Sequence, residues 1–189
     1  MRNEIKRKLI HILSIIFPAA YLLRTKQDVL FILGIAVIFA ISVELGRFFC
    51  VKFAKIFDKT VGHLLRFHEK QKFTSATNLL LSFYVSTLIF SKPVAVSVML
   101  FVVLCDALSA LVGKKWGNTV LYGNKTLEGS AVFLLSGLII ILIVPGLDFL
   151  TGLFGLVAAF VVDLFVVNID DNITIPIVSG VVMQIVLFL

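Results

Sequence analysis

Polar and apolar residues of this chain are segregated into long blocks instead of alternating along short segments. Seven apolar blocks approach the length of about 20 residues that an α-helix needs to cross a bilayer. The blocks cover residues 8–23, 29–49, 77–90, 93–112, 129–147, 149–167 and 173–189. The pattern predicts an all-α, polytopic membrane helix bundle of about seven transmembrane helices. We expect residues 1–189 to form a single integral-membrane catalytic domain.

The first block has one competing interpretation, because a basic N-terminus followed by an apolar run also describes a secretory signal peptide. Ala19 and Ala20 would make only a weak cleavage site. His11, Pro18 and the charged residues before them fit a retained first helix at least as well, and we expect retention.

Positive charge predicts the orientation of the bundle, because Lys and Arg concentrate on the cytoplasmic side of membrane proteins. A cytoplasmic N-terminus divides the 17 basic residues 14 to 3 between the inner and outer faces. The inner set is Arg2, Lys6, Arg7, Lys8, Arg47, Lys52, Lys55, Lys59, Arg66, Lys70, Lys72, Lys114, Lys115 and Lys125. The outer set is Arg24, Lys26 and Lys92. The bias favours seven helices with the N-terminus inside.

Composition excludes several classes of protein. The chain is 60% hydrophobic and only 15% charged, well below the soluble average of about 25%. Its net charge of +6 lies mostly at one predicted membrane face, so it indicates anionic lipids or an anionic substrate and no nucleic acid. Cys50 and Cys105 lack the spacing of a metal site.

Three acids lie within apolar blocks, where a charge costs at least a few kcal/mol unless it faces a cavity or a partner. They are Glu44, Asp106 and Asp163, each within about two turns of the predicted cytoplasmic helix end. Glu44 could simply pair with Arg47 at i, i+3. Asp106 has no basic residue near it on its own helix.

The loop 113–130 combines glycines with lysines. Glycine lets backbone amides approach phosphate oxygens, and Lys114, Lys115 and Lys125 supply positive charge. Its Lys-Thr pair lacks Walker A spacing, so a flexible connector remains an alternative. Thr126 is a predicted N-cap, and helix N-termini attract anions.

Two further polar segments have both structural and functional interpretations. Asp170, Asp171 and Asn172 could form an ordinary turn or offer oxygen ligands to a hard cation such as Mg²⁺. The N-terminal stripe could be a topogenic charge cluster or a phosphate-binding face. Its members are Glu4, Arg7, Lys8 and His11.

Together these segments resemble the CTP-dependent lipid-alcohol kinases: dolichol kinase, yeast-type diacylglycerol kinase and phytol kinase, which are related to phosphatidate cytidylyltransferases. Four matches in shared order carry the resemblance over nearly the whole chain. They are Glu4-x-x-Arg7-Lys8-x-x-His11; Arg66-Phe67-His68-Glu69 with residues 73–77; Asp106 through Ser130, including the specific KTLEGS segment; and Asp171-Asn172-x-x-x-Pro176. Ser75 departs from the usual Gly, and Asp163 stands where Glu is more frequent.

The resemblance implies transfer of a phosphoryl group from CTP to the hydroxyl of a membrane lipid, with Mg²⁺ as cofactor. It assigns Asp106, Asp170 and Asp171 to the metal. It assigns the phosphates and nucleotide to Arg7, Lys8, His11, Gly113, Lys114, Gly117, Lys125, Thr126, Gly129, Ser130 and Asn172. Asp163 and Glu128 are alternative general bases, and His11 is a weaker one.

Two other functions remain open from the sequence. A phosphatidate cytidylyltransferase would share CTP, metal and basic site, but the chain lacks the HGG-x-x-DR-x-D ending typical of that class and has IDDNITIP instead. A channel or transporter would more naturally place polar groups near the bilayer midplane. A lipid kinase at the cytoplasmic face is therefore the preferred prediction.

Overall fold

The computed structural model describes residues 2–65, 69, 71–165 and 169–189, with the backbone alone for 2–6 and 64. Arg66, Phe67, His68 and Lys70, which the sequence analysis named, lie outside the described residues, as does the side chain of Glu4. Within the described part, the chain forms ten α-helices and one short β-hairpin. The all-α prediction holds except for that hairpin.

The first apolar block forms two helices, so the single predicted helix over 8–23 is wrong. α1 covers Arg2–Leu13 and α2 covers Ile16–Leu23, with a turn at Ser14 and Ile15. Pro18 has no N–H to donate to the carbonyl of Ser14, which accepts from Phe17 N at 3.1 Å. Ser14 Oγ also donates to His11 O at 2.5 Å. These two local features explain the interruption.

The second block forms α3, Lys26–Phe49, which begins at a capping box. Asp28 N donates to Thr25 Oγ1 at 3.2 Å, and Thr25 N donates to Asp28 Oδ2 at 3.3 Å. The C-cap of α3 is Cys50, which has extended backbone dihedrals. α4, Val51–Thr60, and a 3₁₀ turn at Gly62–Leu64 follow between the second and third apolar blocks, where the sequence predicted no helix.

Two helical segments come next. α5 is Ser75–Ile89. A continuous helical rod then runs from Lys92 to Trp116, composed of α6, Lys92–Leu100, a π-helical turn, Phe101–Cys105, and α7, Asp106–Trp116. The rod extends past the predicted boundary at residue 112.

The predicted loop after the rod is largely ordered as a hairpin. β1, Val120–Tyr122, pairs antiparallel with β2, Lys125–Thr126, and Gly123 in the turn has a φ of 54°. Three helices complete the chain: α8, Leu127–Ile143, α9, Phe149–Phe165, and α10, Asp171–Val186. Their positions match the last three predicted blocks.

The rod lies at the centre of the bundle, packed by α5, α8, α9 and α10. Its core includes the fully buried side chains of Phe83, Phe101, Phe133, Leu156 and Met183. The outer surface is also apolar. Large exposed side chains follow the outward faces of the helices, including Phe31, Ile35, Ile38, Phe39, Leu135, Ile139, Phe154 and Val161.

Two helices are long and apolar enough to cross a membrane by length and composition. They are Lys26–Phe49 and Lys92–Trp116, the second mostly buried inside the bundle. The four other apolar helices have 15 to 17 residues, and the longest of these spans about 25 Å at 1.5 Å per residue. Seven membrane spans and a cytoplasmic N-terminus therefore stay predictions.

The bundle has two ends of different character. We call the end that carries Glu44, Asp106, Lys125, Asp163 and Asp171 the site end. We call the end that carries Thr25, Lys26, Lys92, Asp148 and Gln184 the far end. The predicted cytoplasmic loops lie at the site end, and the three predicted outer basic residues lie at the far end.

Candidate functional site

Three aspartates from three helices meet at the site end. Asp106 begins α7, Asp163 lies near the end of α9, and Asp171 is the first residue of α10. One carboxylate oxygen from each lies within 4.8 Å of the other two. Asp106 and Asp163 are buried, and Asp171 is half-buried. We call these residues the carboxylate trio.

A π-helical turn sets the position of Asp106. Asp106 N donates to Phe101 O, five residues earlier, in place of the usual i−4 carbonyl at Val102. His11 Nε2 lies 2.9 Å from Val102 O. Because a carbonyl only accepts, Nε2 donates there, so this nitrogen does not serve as a base.

Two lysines pair with the trio. Lys8 Nζ lies 2.5 Å from Asp106 Oδ2, and Lys125 Nζ lies 2.6 Å from Asp163 Oδ1. Burial disfavours charge on Lys125, but the nearby carboxylates of Asp163 and Asp106 outweigh it and hold the pKa of Lys125 above its ordinary value. Lys125 therefore stays protonated next to the trio.

Asp170 is not one of the three clustered carboxylates and binds other groups. Its Oδ1 accepts from the backbone N–H of Asn172 at 3.0 Å, so it serves as the N-cap of α10. Its Oδ2 accepts from Asn78 Nδ2 at 2.8 Å. The Asn172 amide in turn donates to Ser75 O at 3.3 Å. These contacts tie the start of α10 to the start of α5, and the assignment of Asp170 to the metal stays a prediction.

Arg7 reaches a different acid. Its guanidinium lies 3.4 Å from Glu69 Oε1, which also accepts from Ser75 Oγ at 2.5 Å. Arg7 and Lys8, adjacent in sequence, thus bind Glu69 and Asp106 respectively. Ser75 provides a hydroxyl that the Gly expected from the resemblance would lack.

Glu44 and Arg47 form a second buried ion pair that fixes the loop before α5. Arg47 NH2 lies 2.5 Å from Glu44 Oε2 and donates to Lys72 O at 2.5 Å, and NH1 donates to Glu69 O at 2.7 Å. Glu44 Oε1 accepts from Thr74 N at 2.8 Å and from Thr77 Oγ1 at 2.9 Å. The local pairing expected for Glu44 is present, and it also anchors the segment that carries Glu69.

Three glycines of the 113–130 loop, Gly113, Gly117 and Gly129, lie where α7 meets Thr126 and α8. A Cβ added at Gly113 would lie 2.8 Å from Thr126 Oγ1, and one at Gly129 would lie 2.8 Å from Ser109 O. Thr126 caps α8 by accepting from Gly129 N at 3.2 Å. Gly117 ends α7 and donates to Gly113 O at 3.0 Å. These glycines permit close helix packing, and their contact with phosphate stays a prediction.

Glu128 supports the base of the hairpin. Its Oε1 accepts from Asn118 N at 3.0 Å and from Thr119 N at 3.3 Å. The hydrogen bond from Asn118 N contributes most to holding the pKa of the Glu128 carboxyl below its usual value. Glu128 is therefore bound to backbone amides in this structure, which weakens its candidacy as a general base.

The structure brings together Lys8, Asp106, Lys125, Asp163 and Asp171. Arg7 and His11 lie on the adjoining helix α1, Lys114 is exposed near the end of α7, and Ser130 is buried in the first turn of α8. Asn78 was not predicted. The one sequence signal for Asn78 is its position four residues after Thr74, the N-cap of α5.

The donor set of the trio suits a hard cation. Three carboxylates supply oxygen ligands with no His or Cys among them, which is the chemistry that Mg²⁺ prefers. Three negative charges this close together repel one another, and a bound divalent cation would offset that repulsion. Lys8 and Lys125 add positive charge at the edge, so the site can also accept phosphate oxygens.

The chain is similar over nearly its whole length to proteins from three organisms. It is 26% identical over 208 residues to CTP-dependent diacylglycerol kinase 1 of Schizosaccharomyces pombe, covering 98% of this chain and 94% of that protein. It is 28% identical over 216 residues to CTP-dependent diacylglycerol kinase 1 of Saccharomyces cerevisiae, covering 98% and 74%. An uncharacterised protein of Rickettsia prowazekii is 27% identical over 183 residues, covering 92% and 89%. No protein-family model and no solved structure matches the chain.

Proposed function

We propose that this chain is a multi-pass membrane kinase that transfers the γ-phosphoryl group of CTP to the hydroxyl of a membrane lipid at the cytoplasmic face. The observation that carries the proposal is the convergence of the carboxylate trio with Lys8 and Lys125 at one end of an apolar bundle. The names of the two yeast relatives support the nucleotide and the reaction class.

Phosphoryl transfer depends on positioning and charge neutralisation more than on covalent chemistry with the protein. Asp106, Asp163 and Asp171 would hold Mg²⁺, which supplies positive charge for the phosphate oxygens. Lys125 binds a phosphate from the hairpin side and Lys8 from α1, with Arg7 and Lys114 adding charge nearby.

The reaction joins an oxygen of the lipid to phosphorus and releases CDP. The lipid hydroxyl attacks the γ-phosphorus, the bond from that phosphorus to the β,γ-bridging oxygen breaks, and the hydroxyl proton leaves. Of the two carboxylates considered as bases, Asp163 faces the trio and Glu128 is held by backbone amides. Asp163 is therefore the better-placed proton acceptor.

The acceptor is a lipid whose hydroxyl lies at the membrane surface while its chains stay in the bilayer. Diacylglycerol, polyprenol or dolichol, and a phytol-like alcohol all have this form. Diacylglycerol is the first acceptor to test, because both named relatives are diacylglycerol kinases.

Labelled CTP distinguishes the kinase from its alternative, a phosphatidate cytidylyltransferase. Purified protein is incubated with Mg²⁺, one lipid alcohol or phosphatidate, and CTP labelled at the α or the γ phosphate. We expect γ label in the lipid phase, with CDP released, and no α label. Label from the α position with release of pyrophosphate would overturn the proposal in favour of cytidylyl transfer.

A further inference from the structure

Helix α4 contributes nothing to the carboxylate trio, yet its sequence, VKFAKIFDKT, is strongly patterned. Lys52, Lys55 and Lys59 lie on one side at i, i+3 and i+7. Phe53 and Phe57 lie away from them, and Ile56 lies at the border, one turn after Lys52. A helix with separate basic and apolar faces is typical of peptides that lie along a membrane surface.

α4 is held across the site end of α3 and does not extend that helix. Cys50 between the two helices has an extended backbone conformation. The ring of Phe53 lies against α3, since a Cβ added at Gly46 would be 3.1 Å from Phe53 Cδ1. The Phe57 ring centroid lies 5.5 Å from the guanidinium carbon of Arg47. α4 therefore has a defined place on the bundle.

Much of the apolar surface of α4 remains uncovered. Val51 is 71% exposed and Ile56 is 62% exposed. This surface continues into the last turn of α3, where Phe49 is 83% exposed. If α3 spans a bilayer, lipid covers its exposed apolar side. The surface of that bilayer would then lie at the end of α3, where α4 begins.

The charge of α4 indicates which kind of binding partner its basic face would contact. Lys52, Lys55 and Lys59 are exposed, and none forms an ion pair with a residue that the structure describes. Asp58 is the single acid of the helix. Three unpaired cations next to an apolar surface complement the phosphates of anionic phospholipids.

We infer that α4 is an interfacial helix that binds the anionic phospholipid surface of the membrane at the site end. Ile56 inserts at the boundary of head groups and acyl chains, and the three lysines beside it bind lipid phosphates. The inference requires the bundle to sit in a bilayer, but it does not require phosphoryl transfer, so each can fail without the other.

A tryptophan probe tests the insertion. Trp116→Phe removes the single tryptophan, and Ile56→Trp then places one at the exposed apolar position beside the lysines. Asp58→Trp in the same background is the matched control, because two residues rotate a helix by about 200° to the opposite side. The full chain is reconstituted in vesicles of equimolar phosphatidylcholine and phosphatidylglycerol with brominated acyl chains.

We expect strong quenching of Trp at position 56 by the brominated chains and weak quenching at position 58. Equal quenching at both positions, or quenching of position 56 by aqueous iodide alone, would overturn the insertion. Protection of position 56 from both quenchers would indicate a protein partner in place of lipid, and would also overturn it.

A second arm tests the preference for anionic lipid. Only one of the two lipids is brominated at a time, and the quenching of Trp at position 56 is compared. We expect brominated phosphatidylglycerol to quench about twofold more than brominated phosphatidylcholine, because the lysines enrich the anionic lipid locally. Lys52→Gln, Lys55→Gln and Lys59→Gln combined, or high salt with the lysines intact, should remove the difference. Equal quenching with the lysines intact at low salt would contradict the anionic preference.

Discussion

The site end and the far end of the bundle use polar residues in different ways. At the far end, polar groups mostly satisfy helix termini: Lys26 donates to Leu88 O at 2.8 Å, and Lys92 donates to Arg24 O at 3.0 Å. Thr151 N donates to Asp148 Oδ2 at 2.9 Å. At the site end, Asp106 and Asp163 are buried with their oxygens facing Asp171.

The difference separates structural polarity from functional polarity. At the far end, exposed N-cap side chains and lysines that donate to backbone carbonyls are sufficient to satisfy the helix termini. Burial of three carboxylates inside an apolar bundle lowers the stability of the fold, and the cluster as a whole does not serve to cap a helix. Such a cluster is expected where a protein binds a cation, so variants matched between the two ends test the proposed function.

The largest expected effect is on activity, from Asp106→Asn. Loss of one ligand charge should lower transfer from CTP to diacylglycerol at least about 10³-fold, since a bound metal contributes several kcal/mol to the transition state. The assay is γ label in extracted lipid. Asp148→Asn, the far-end control, keeps a side-chain oxygen for the cap and should retain activity within about twofold. Similar rates for the two variants would remove Asp106 from the site.

The next largest effect is on stability, from Arg47→Ala. This change leaves the Glu44 carboxylate buried without its ion-pair partner and frees the carbonyls of Glu69 and Lys72. We expect unfolding free energy to fall by about 3 kcal/mol or more, measured by thermal unfolding in detergent. Lys26→Ala, which removes an exposed lysine at the far end, should cost less than about 1 kcal/mol. Equal melting temperatures would contradict an anchoring role for Arg47.

Lys125→Ala should act mainly on the nucleotide. Removal of its charge beside Asp163 is expected to lower kcat/KM for CTP about 10²-fold, in line with the loss of one charged contact to a phosphoryl group. Lys125→Arg should recover part of that loss, because the charge is retained. Lys92→Ala at the far end is the control, and an unchanged kcat/KM in Lys125→Ala would show that Lys125 does not bind phosphate.

The smallest effect is expected at the capping box of α3. Thr25→Ala removes the hydroxyl that accepts from Asp28 N and should cost about 1 kcal/mol of stability. Activity of the folded fraction should stay at the wild-type level, as determined from initial rates below the melting transition. A large loss of activity without unfolding would mean that the far end also takes part in function.

The sequence predicted the helices well because their apolar blocks are long. It missed the break at Ser14, which depends on one local hydrogen bond and the absent N–H of Pro18. It missed α4 because that helix is short and alternates lysines with aromatics. The hairpin was also missed, since β1 and β2 together contain only five residues.

The site was predictable in its residue types but less so in its pairings. Asp106, Lys125 and Asp171 were assigned from motifs, and two relatives carry the name that those motifs suggested. The place of Asp163 beside Asp106 and Asp171 could not be predicted, because it depends on how α9 packs against α7 and α10. The contact of Lys8 with Asp106 joins residues 98 positions apart, a separation that sequence periodicity does not reach.

The central claim is that the carboxylate trio holds a divalent cation, and Mn²⁺ binding tests it most directly. Electron paramagnetic resonance would report free Mn²⁺ in the presence of purified protein and CTP, for the wild type, Asp163→Asn and Asp148→Asn. We predict that the wild type and Asp148→Asn bind Mn²⁺ beyond what CTP alone retains, and that Asp163→Asn binds much less. Equal binding by all three proteins, or none beyond that of CTP, would contradict the claim.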